Sequence, residues 1–182
     1  MEECPICCNE YEPKSSLWVE LTCSHKLCTS CHSKIQTTRT TMSGETHTFS
    51  KCPFCQALTG IEIGTCPDGR MTVREHRSRC AGFEGVGTIQ INYSVQGQYS
   101  LNRTAFLPNN AEGQRVLNLL RTAWDRRLCF AIGTSVTTGA RNVPVWNVHH
   151  KTAMFGGVSC HGYPDPRYFE RVTNELKSFG VE

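Results

Sequence analysis

Eight residues near the N-terminus follow a spacing that packing alone does not require: Cys4, Cys7, Cys23, His25, Cys28, Cys31, Cys52 and Cys55, reading C-x2-C-x15-C-x-H-x2-C-x2-C-x20-C-x2-C. Zinc takes four sulfur or nitrogen donors in a tetrahedron, and a C-x2-C knuckle offers two thiolates on one tight turn. Four such pairs make two zinc sites. The competing reading of so many cysteines is a disulfide framework. Against it stand the histidine in the ligand set, the lack of a signal-peptide pattern before Cys4, and an odd remainder of Cys8, Cys66, Cys80, Cys129 and Cys160 spread along the chain. A reducing compartment, cytoplasm or nucleus, is therefore expected.

The single residue between Cys23 and His25 and the Cys52-Pro53-Phe54-Cys55 knuckle resemble the RING finger. The resemblance implies that alternate pairs share a metal: Cys4, Cys7, Cys28 and Cys31 hold one ion, and Cys23, His25, Cys52 and Cys55 the other. It also implies a docking patch for a ubiquitin-conjugating enzyme made of Ile6, Ile35, Pro53 and Phe54. Gln56 stands where an arginine often bridges enzyme and ubiquitin. Glutamine donates hydrogen bonds without charge, so weaker closure of the conjugate is expected.

Apolar residues are sparse over 1–60, and the polar stretch 36–50 shows neither helical nor strand periodicity. It reads as an insertion loop, and zinc has to hold this half together. Residues 61–182 carry no such ligand set and read as a conventional core, with the boundary in the glycine-rich segment 60–69. The expected class is α+β: a small cross-braced zinc domain, then an α+β domain. No apolar run approaches the length of a membrane span, and a net charge of +3 gives no argument for nucleic acid. The one basic cluster, Arg74, His76, Arg77 and Arg79, reads as solvated surface.

Residues 88–95 alternate polar and apolar, which predicts a strand with Ile89, Ile91, Tyr93 and Val95 on one face, followed by a glycine turn at Gly97. Asn109 or Asn110 can cap a helix with Val116, Leu117, Leu120, Ala123, Trp124 and Leu128 facing the core. Strands are expected over 129–132 and 143–148, with the loop 133–139 between them. In the last helix Asp165 suits the N-cap, Pro166 the first turn and Gly180 the end. Projection at about 100° per residue puts Tyr168, Val172, Leu176 and Phe179 on one face, with Glu175 at its edge.

His149, His150 and His161 lie after one strand and before the last helix, where loops build pockets. Residue types alone leave open a third metal site with Cys160, a ligand pocket, or unrelated surface histidines. Cys66, His76 and Cys80 are a further candidate metal set. The segments Leu107-Pro108-Asn109-Asn110, Ala123-Trp124-Asp125-Arg126-Arg127-Leu128, Ile132-Gly133-Thr134-Ser135, His149-His150-Lys151-Thr152 and His161-Gly162-Tyr163-Pro164-Asp165 resemble the Deltex C-terminal domain. Residues 72–86 and 96–104 depart from that pattern.

The resemblance implies a ubiquitin ligase whose second domain binds ADP-ribose or NAD through Ser135, His149, His161 and Tyr163, with His161 and Glu175 catalytic. Implied partners are a ubiquitin-conjugating enzyme, ubiquitin, and an ADP-ribosylated protein or nucleic acid. The runner-up is a zinc-stabilised reader of ADP-ribosylated partners without ligase activity.

Overall fold

The computed structural model describes residues 1–95 and 100–182; the turn expected at Gly97 lies outside them, as does part of the 96–104 stretch. The α+β class holds. The chain divides into two compact units, one of residues 1–40 and 44–63, the other of residues 41–43 and 64–182.

The first unit is built from short pieces: β1 (Glu2–Glu3), β2 (Glu10–Tyr11), β3 (Trp18–Glu20), β4 (Lys26–Cys28), α1 (Thr29–Ile35), β5 (Thr37–Thr40), β6 (Thr46–Lys51) and β7 (Leu58–Gly60). Its apolar clusters are small and sit against the ligands. Tyr11 and Trp18 pack on Cys4, Cys28 and Cys31, while Ile35 and Ala57 pack with Leu21, Leu27 and Cys52. The first and last knuckles close in the same way. Cys8 N donates to Cys4 O and Gln56 N to Cys52 O, each at 2.9 Å, and Cys8 and Gln56 take positive φ of 59° and 62°. That turn aims successive backbone N–H groups toward the thiolates, a favourable site for negative sulfur.

The loop expected over 36–50 is instead the antiparallel hairpin β5–β6, continued by β7. Threonine hydroxyls replace apolar alternation: Thr38 pairs with Thr48 at 2.8 Å and Thr40 with Thr46 at 3.0 Å across the strands. Such cross-strand threonine pairs stabilise a sheet that buries little. The hairpin tip, Thr41–Ser43, is part of the second unit: Met42 N donates to Asp125 O, and Ser43 N and Oγ donate to the Asp125 carboxylate.

The second unit contains β8 (Gly69–His76), β9 (Thr88–Val95), β10 (Leu101–Pro108), α2 (Ala111–Asp125), β11 (Phe130–Gly133), β12 (Val143–Trp146) and α3 (Tyr168–Ser178). Strands β10, β9 and β8 form an antiparallel sheet in that order. Ile89, Ile91, Tyr93 and Val95 all face inward and are at most 1 % exposed, as the alternation predicts. They pack with Val116, Leu117, Leu120, Ala123 and Trp124 of α2, whose N-cap is Asn110, its Oδ1 accepting from Gly113 N at 2.8 Å. Strand β8 was hidden from periodicity because only Met71 and Val73 turn toward the core among charged neighbours.

The last helix begins later than Asp165. Asp165 Oδ1 accepts from Arg167 N at 3.2 Å in a turn that precedes α3, while the rest of its carboxylate is engaged elsewhere. Gly180 ends the helix at φ 75°. Strands β11 and β12 pair antiparallel, Phe130 opposite Trp146, and present the loop between them at one edge.

A Cβ added at Gly113 would run into the Pro108 carbonyl oxygen, which is backbone and cannot swing away. Gly113→Ala therefore lowers the stability of this unit by roughly 1–3 kcal/mol, although helix propensity favours alanine by about 1 kcal/mol. Urea unfolding followed through the β9 amide protons measures it, and a higher midpoint for the variant contradicts the packing argument.

Candidate functional site

Cys4, Cys7, Cys28 and Cys31 bring their four sulfurs within 4.8 Å of one another, and so do the donors of Cys23, His25, Cys52 and Cys55. Donors about 2.3 Å from a common tetrahedral centre lie roughly 3.8 Å apart. The observed separations have that size: Cys7 Sγ is 3.8 Å from Cys28 Sγ, and His25 Nδ1 lies 3.3, 3.5 and 3.6 Å from the sulfurs of Cys23, Cys52 and Cys55. Both sets fit zinc, and His25 presents Nδ1. Among the described residues no third cluster forms, so neither Cys66, His76 and Cys80 nor Cys160 with the histidines makes a metal site.

Around these clusters lie the patch residues. Ile6 is 42 % and Phe54 46 % exposed, each on an outer knuckle, and Pro53 is exposed beside Phe54. Phe54 packs on the His25 ring at 5.4 Å between centroids, and half-buried Ile35 ends α1 against Leu21, Leu27 and Cys52. Exposed Gln56 follows the last ligand.

In the second unit a recess of about 310 Å³ is lined by His149, His150, Lys151, Val158, His161, Tyr168 and Arg171. His149 is exposed and held by Glu175, whose Oε2 accepts from His149 N at 2.8 Å while both carboxylate oxygens lie 3.1–3.2 Å from Nδ1. Glu175 thus pairs with His149. The ring of His161 makes no hydrogen bond among the described residues. Its backbone takes φ 54° after a short 3-10 turn, and its carbonyl accepts from Thr152 and Ala153.

His150 is buried and fully committed. Nδ1 lies 2.8 Å from Val148 O, an acceptor only, so Nδ1 carries the proton; Nε2 then accepts from the Tyr93 hydroxyl at 2.7 Å. Burial lowers its pKa to about 4, so the ring is neutral at physiological pH. Beside it, Lys151 Nζ and Arg171 Nη2 both donate to Asp165 Oδ2, at 2.6 and 2.7 Å. The Arg171 hydrogen bond, helped by Lys151 and opposed by burial, holds the Asp165 carboxyl well below the usual carboxylate range.

Ser135 is elsewhere. It lines a second recess of about 350 Å³ with Arg103, Thr134 and Thr137 over an aromatic floor of Phe130 and Trp146. Trp146 stacks on Phe130 at 4.4 Å and on His150 at 4.3 Å, so the Trp146–His150 stack separates the two recesses. Tyr163 corrects the expectation of a ligand-binding side chain: it is 0 % exposed, lines neither recess, and donates its hydroxyl to Phe106 O at 2.9 Å. Its hydroxyl satisfies a backbone carbonyl, so the residue is structural. Trp146, Lys151, Arg171 and Arg103 were missed as pocket walls, whereas His150 is one of the three histidines for which a pocket was left open. Lys151 adjoins those histidines, but the burial of His150 and Lys151 depends on packing against β9 and α3.

Residues 63–181 match the Deltex C-terminal domain, and residues 4–55 match the C3HC4-type zinc finger, the RING finger. The chain belongs to the Deltex family. It is 38 % identical over 194 aligned residues to the human protein named "Probable E3 ubiquitin-protein ligase DTX3", covering 98 % of this chain and 52 % of the relative. It is 42 % identical over 147 residues to the Xenopus laevis "E3 ubiquitin-protein ligase DTX1", covering 72 % of this chain and 24 % of that protein. The mouse protein "E3 ubiquitin-protein ligase DTX4" is 40 % identical over 147 residues, 72 % of this chain and 24 % of the relative. This Deltex-family chain thus spans about half the length of the DTX3 relative and a quarter of the others.

Removing zinc from this Deltex-family chain with a chelator unfolds the RING unit, because metal supplies on the order of 10–16 kcal/mol where the apolar clusters are small. Amide exchange of α1 and β4 should become fast while β9 stays protected; protection retained at α1 after chelation overturns the argument. For His150 the folded pKa lies below the unfolded 6.5, so its contribution is complete above about pH 6.5 and is lost as pH falls toward 4. The full loss is roughly 3 kcal/mol. An NMR titration should find the His150 ring neutral down to about pH 4, and a midpoint near 6.5 would refute its burial.

Proposed function

We propose that this chain acts as a RING-type ubiquitin-protein ligase that recruits a ubiquitin-charged conjugating enzyme and transfers ubiquitin to ADP-ribose or to ADP-ribosylated protein or nucleic acid. The observation that carries the reading is the pair of interleaved tetrahedral donor clusters, in RING order, in a chain of the Deltex family. The zincs are structural: each cluster supplies all four donors, so no position remains for a reacting water.

Ile6, Ile35, Pro53 and Phe54 form the docking patch for the conjugating enzyme, and Gln56 supplies a neutral hydrogen-bond donor at the ubiquitin interface. A RING acts by positioning: it restrains the thioester between ubiquitin and the enzyme in a reactive conformer and forms no covalent bond to ubiquitin.

In the second unit ADP-ribose, or the same portion of NAD, lies across the two recesses, with Ser135 in one and His149 and His161 in the other. The ribose hydroxyl oxygen attacks the thioester carbonyl, an ester forms, and the conjugating-enzyme thiolate leaves. His161 takes the hydroxyl proton, since its ring is the one in the recess with both nitrogens uncommitted. Glu175 fixes His149, which lines the same recess as His161.

The test combines the protein with a ubiquitin-charged conjugating enzyme and ADP-ribose, with mass spectrometry locating the ubiquitin. Ile6→Ala should lower discharge to every acceptor at least tenfold. His161→Ala and Glu175→Gln should lower transfer to ADP-ribose roughly 100-fold while discharge to lysine persists. Undiminished discharge by Ile6→Ala sinks the ligase reading, and ADP-ribose binding without any discharge leaves a zinc-stabilised reader.

A further inference from the structure

Strand β8 is the edge of its sheet: β9 pairs along one side, and among the described residues no backbone hydrogen bond from β8 runs to the other. It is eight residues long, roughly 26 Å at about 3.3 Å per residue. An open edge of that length is a ready template for another strand.

The register shows what such a strand would meet. Arg70, Thr72, Arg74 and His76 share one face of the sheet with Gln90, Asn92 and Ser94 of β9 and Asn102 and Thr104 of β10, while Thr88, at the end of that face, is 0 % exposed. That face carries no carboxylate. Arg70 and Arg74 make no ion pair among the described residues, and Arg77 follows directly, exposed and likewise without one. Arg79 is paired with Glu84 at 2.7 Å, and Glu75 belongs to the opposite face with Ile89 and Leu107. His76 Nε2 lies 2.6 Å from Gln90 Oε1, Gln90 Nε2 donates to Asn92 Oδ1 at 2.9 Å, and Thr104 Oγ1 donates to the same oxygen at 3.0 Å. The polar ladder orders the side chains beside the open edge, and Arg70 and Arg74 give that side positive charge.

We propose that β8 is the docking edge for an extended acidic peptide segment of a partner protein. The segment adds to β8 as a further strand through backbone hydrogen bonds, and its alternate carboxylates meet Arg70 and Arg74, with Arg77 exposed just past the strand end. Backbone pairing supplies affinity and the arginines supply selection for acidic sequence. A single-stranded nucleic acid fits this face less well, because such binding relies on exposed aromatic rings for base stacking, and the face exposes none: Phe106, on the same face, is packed against the core. The C-terminal part of the edge, Thr72–His76, falls within residues 72–86, where the sequence departs from the Deltex pattern.

The test titrates the zinc-loaded full chain with a fluorescent Glu-Val alternating octapeptide, a Lys-Val counterpart, the Glu-Val peptide N-methylated at alternate residues, and oligo-dT. The expected result is saturable binding of the Glu-Val peptide, with slowed exchange of β8 amide protons. Binding should be at least tenfold weaker for the N-methylated and Lys-Val peptides, and at least tenfold weaker in Arg70→Glu/Arg74→Glu. That variant alters exposed side chains only, and its unchanged β9 amide protection verifies the fold. Equal binding of the N-methylated peptide, equal binding by the variant, oligo-dT binding more tightly than the peptide, or no binding of the Glu-Val peptide each overturns the proposal.

Discussion

Asp165 sets the geometry on which the histidine-lined recess depends. Its side chain is 3 % exposed and accepts from Lys151, Arg171 and the backbone of Arg167. Those donors belong to different segments: Lys151 lies two residues after His149, Asp165 four after His161, and Arg171 one helical turn before Glu175. One carboxylate therefore registers the three stretches of chain that carry the recess. Burying it with Lys151, itself 4 % exposed, costs several kcal/mol of desolvation per ion. Such a cluster adds little net stability, and its yield is a single arrangement. Truncating Asp165 would strand a buried ammonium, so the cost of losing the carboxylate exceeds anything its presence contributes.

The three neighbours His149, His150 and Lys151 divide labour by burial. His149 faces solvent and is steered by Glu175, while His150 turns inward and is fixed as the Nδ1–H tautomer by Val148 O and the Tyr93 hydroxyl. A neutral imidazole stacks flat on Trp146 without the desolvation cost of a cation. Its place in the stack Phe130–Trp146–His150 makes it structural, yet it walls one recess while Trp146 walls the other. Any ligand that engages both recesses has to cross this rigid partition, which also limits how the ligand can bend.

Where burial follows a period, the sequence reveals it. The 88–95 alternation and the apolar face of α2 with its Asn110 cap could be read directly, because one face of each meets a continuous core. Strand β8 escaped notice because an edge strand with one solvated face and two apolar anchors, Met71 and Val73, shows no clean alternation. Tyr163 and Glu175 mark the limit for the site. Motif position put both in the pocket, but tertiary packing sent Tyr163 into the core and tied Glu175 to His149. Neither outcome leaves a trace in local residue pattern.

The RING unit shows the opposite balance. Its ligands are legible because a tetrahedral centre demands specific donors at knuckle spacing, a chemical constraint stronger than any propensity. Its strands are illegible for the same reason. Elements of two to four residues, such as β1 to β5, have no room for a period, and metal binding frees them from needing one. The β5–β6 hairpin pairs threonine with threonine, so it never acquires the apolar stripe that sequence reading depends on. The half of the chain held by metal thus displays its chemistry in sequence and conceals its architecture, whereas the half held by a core displays its architecture and leaves its chemistry to packing.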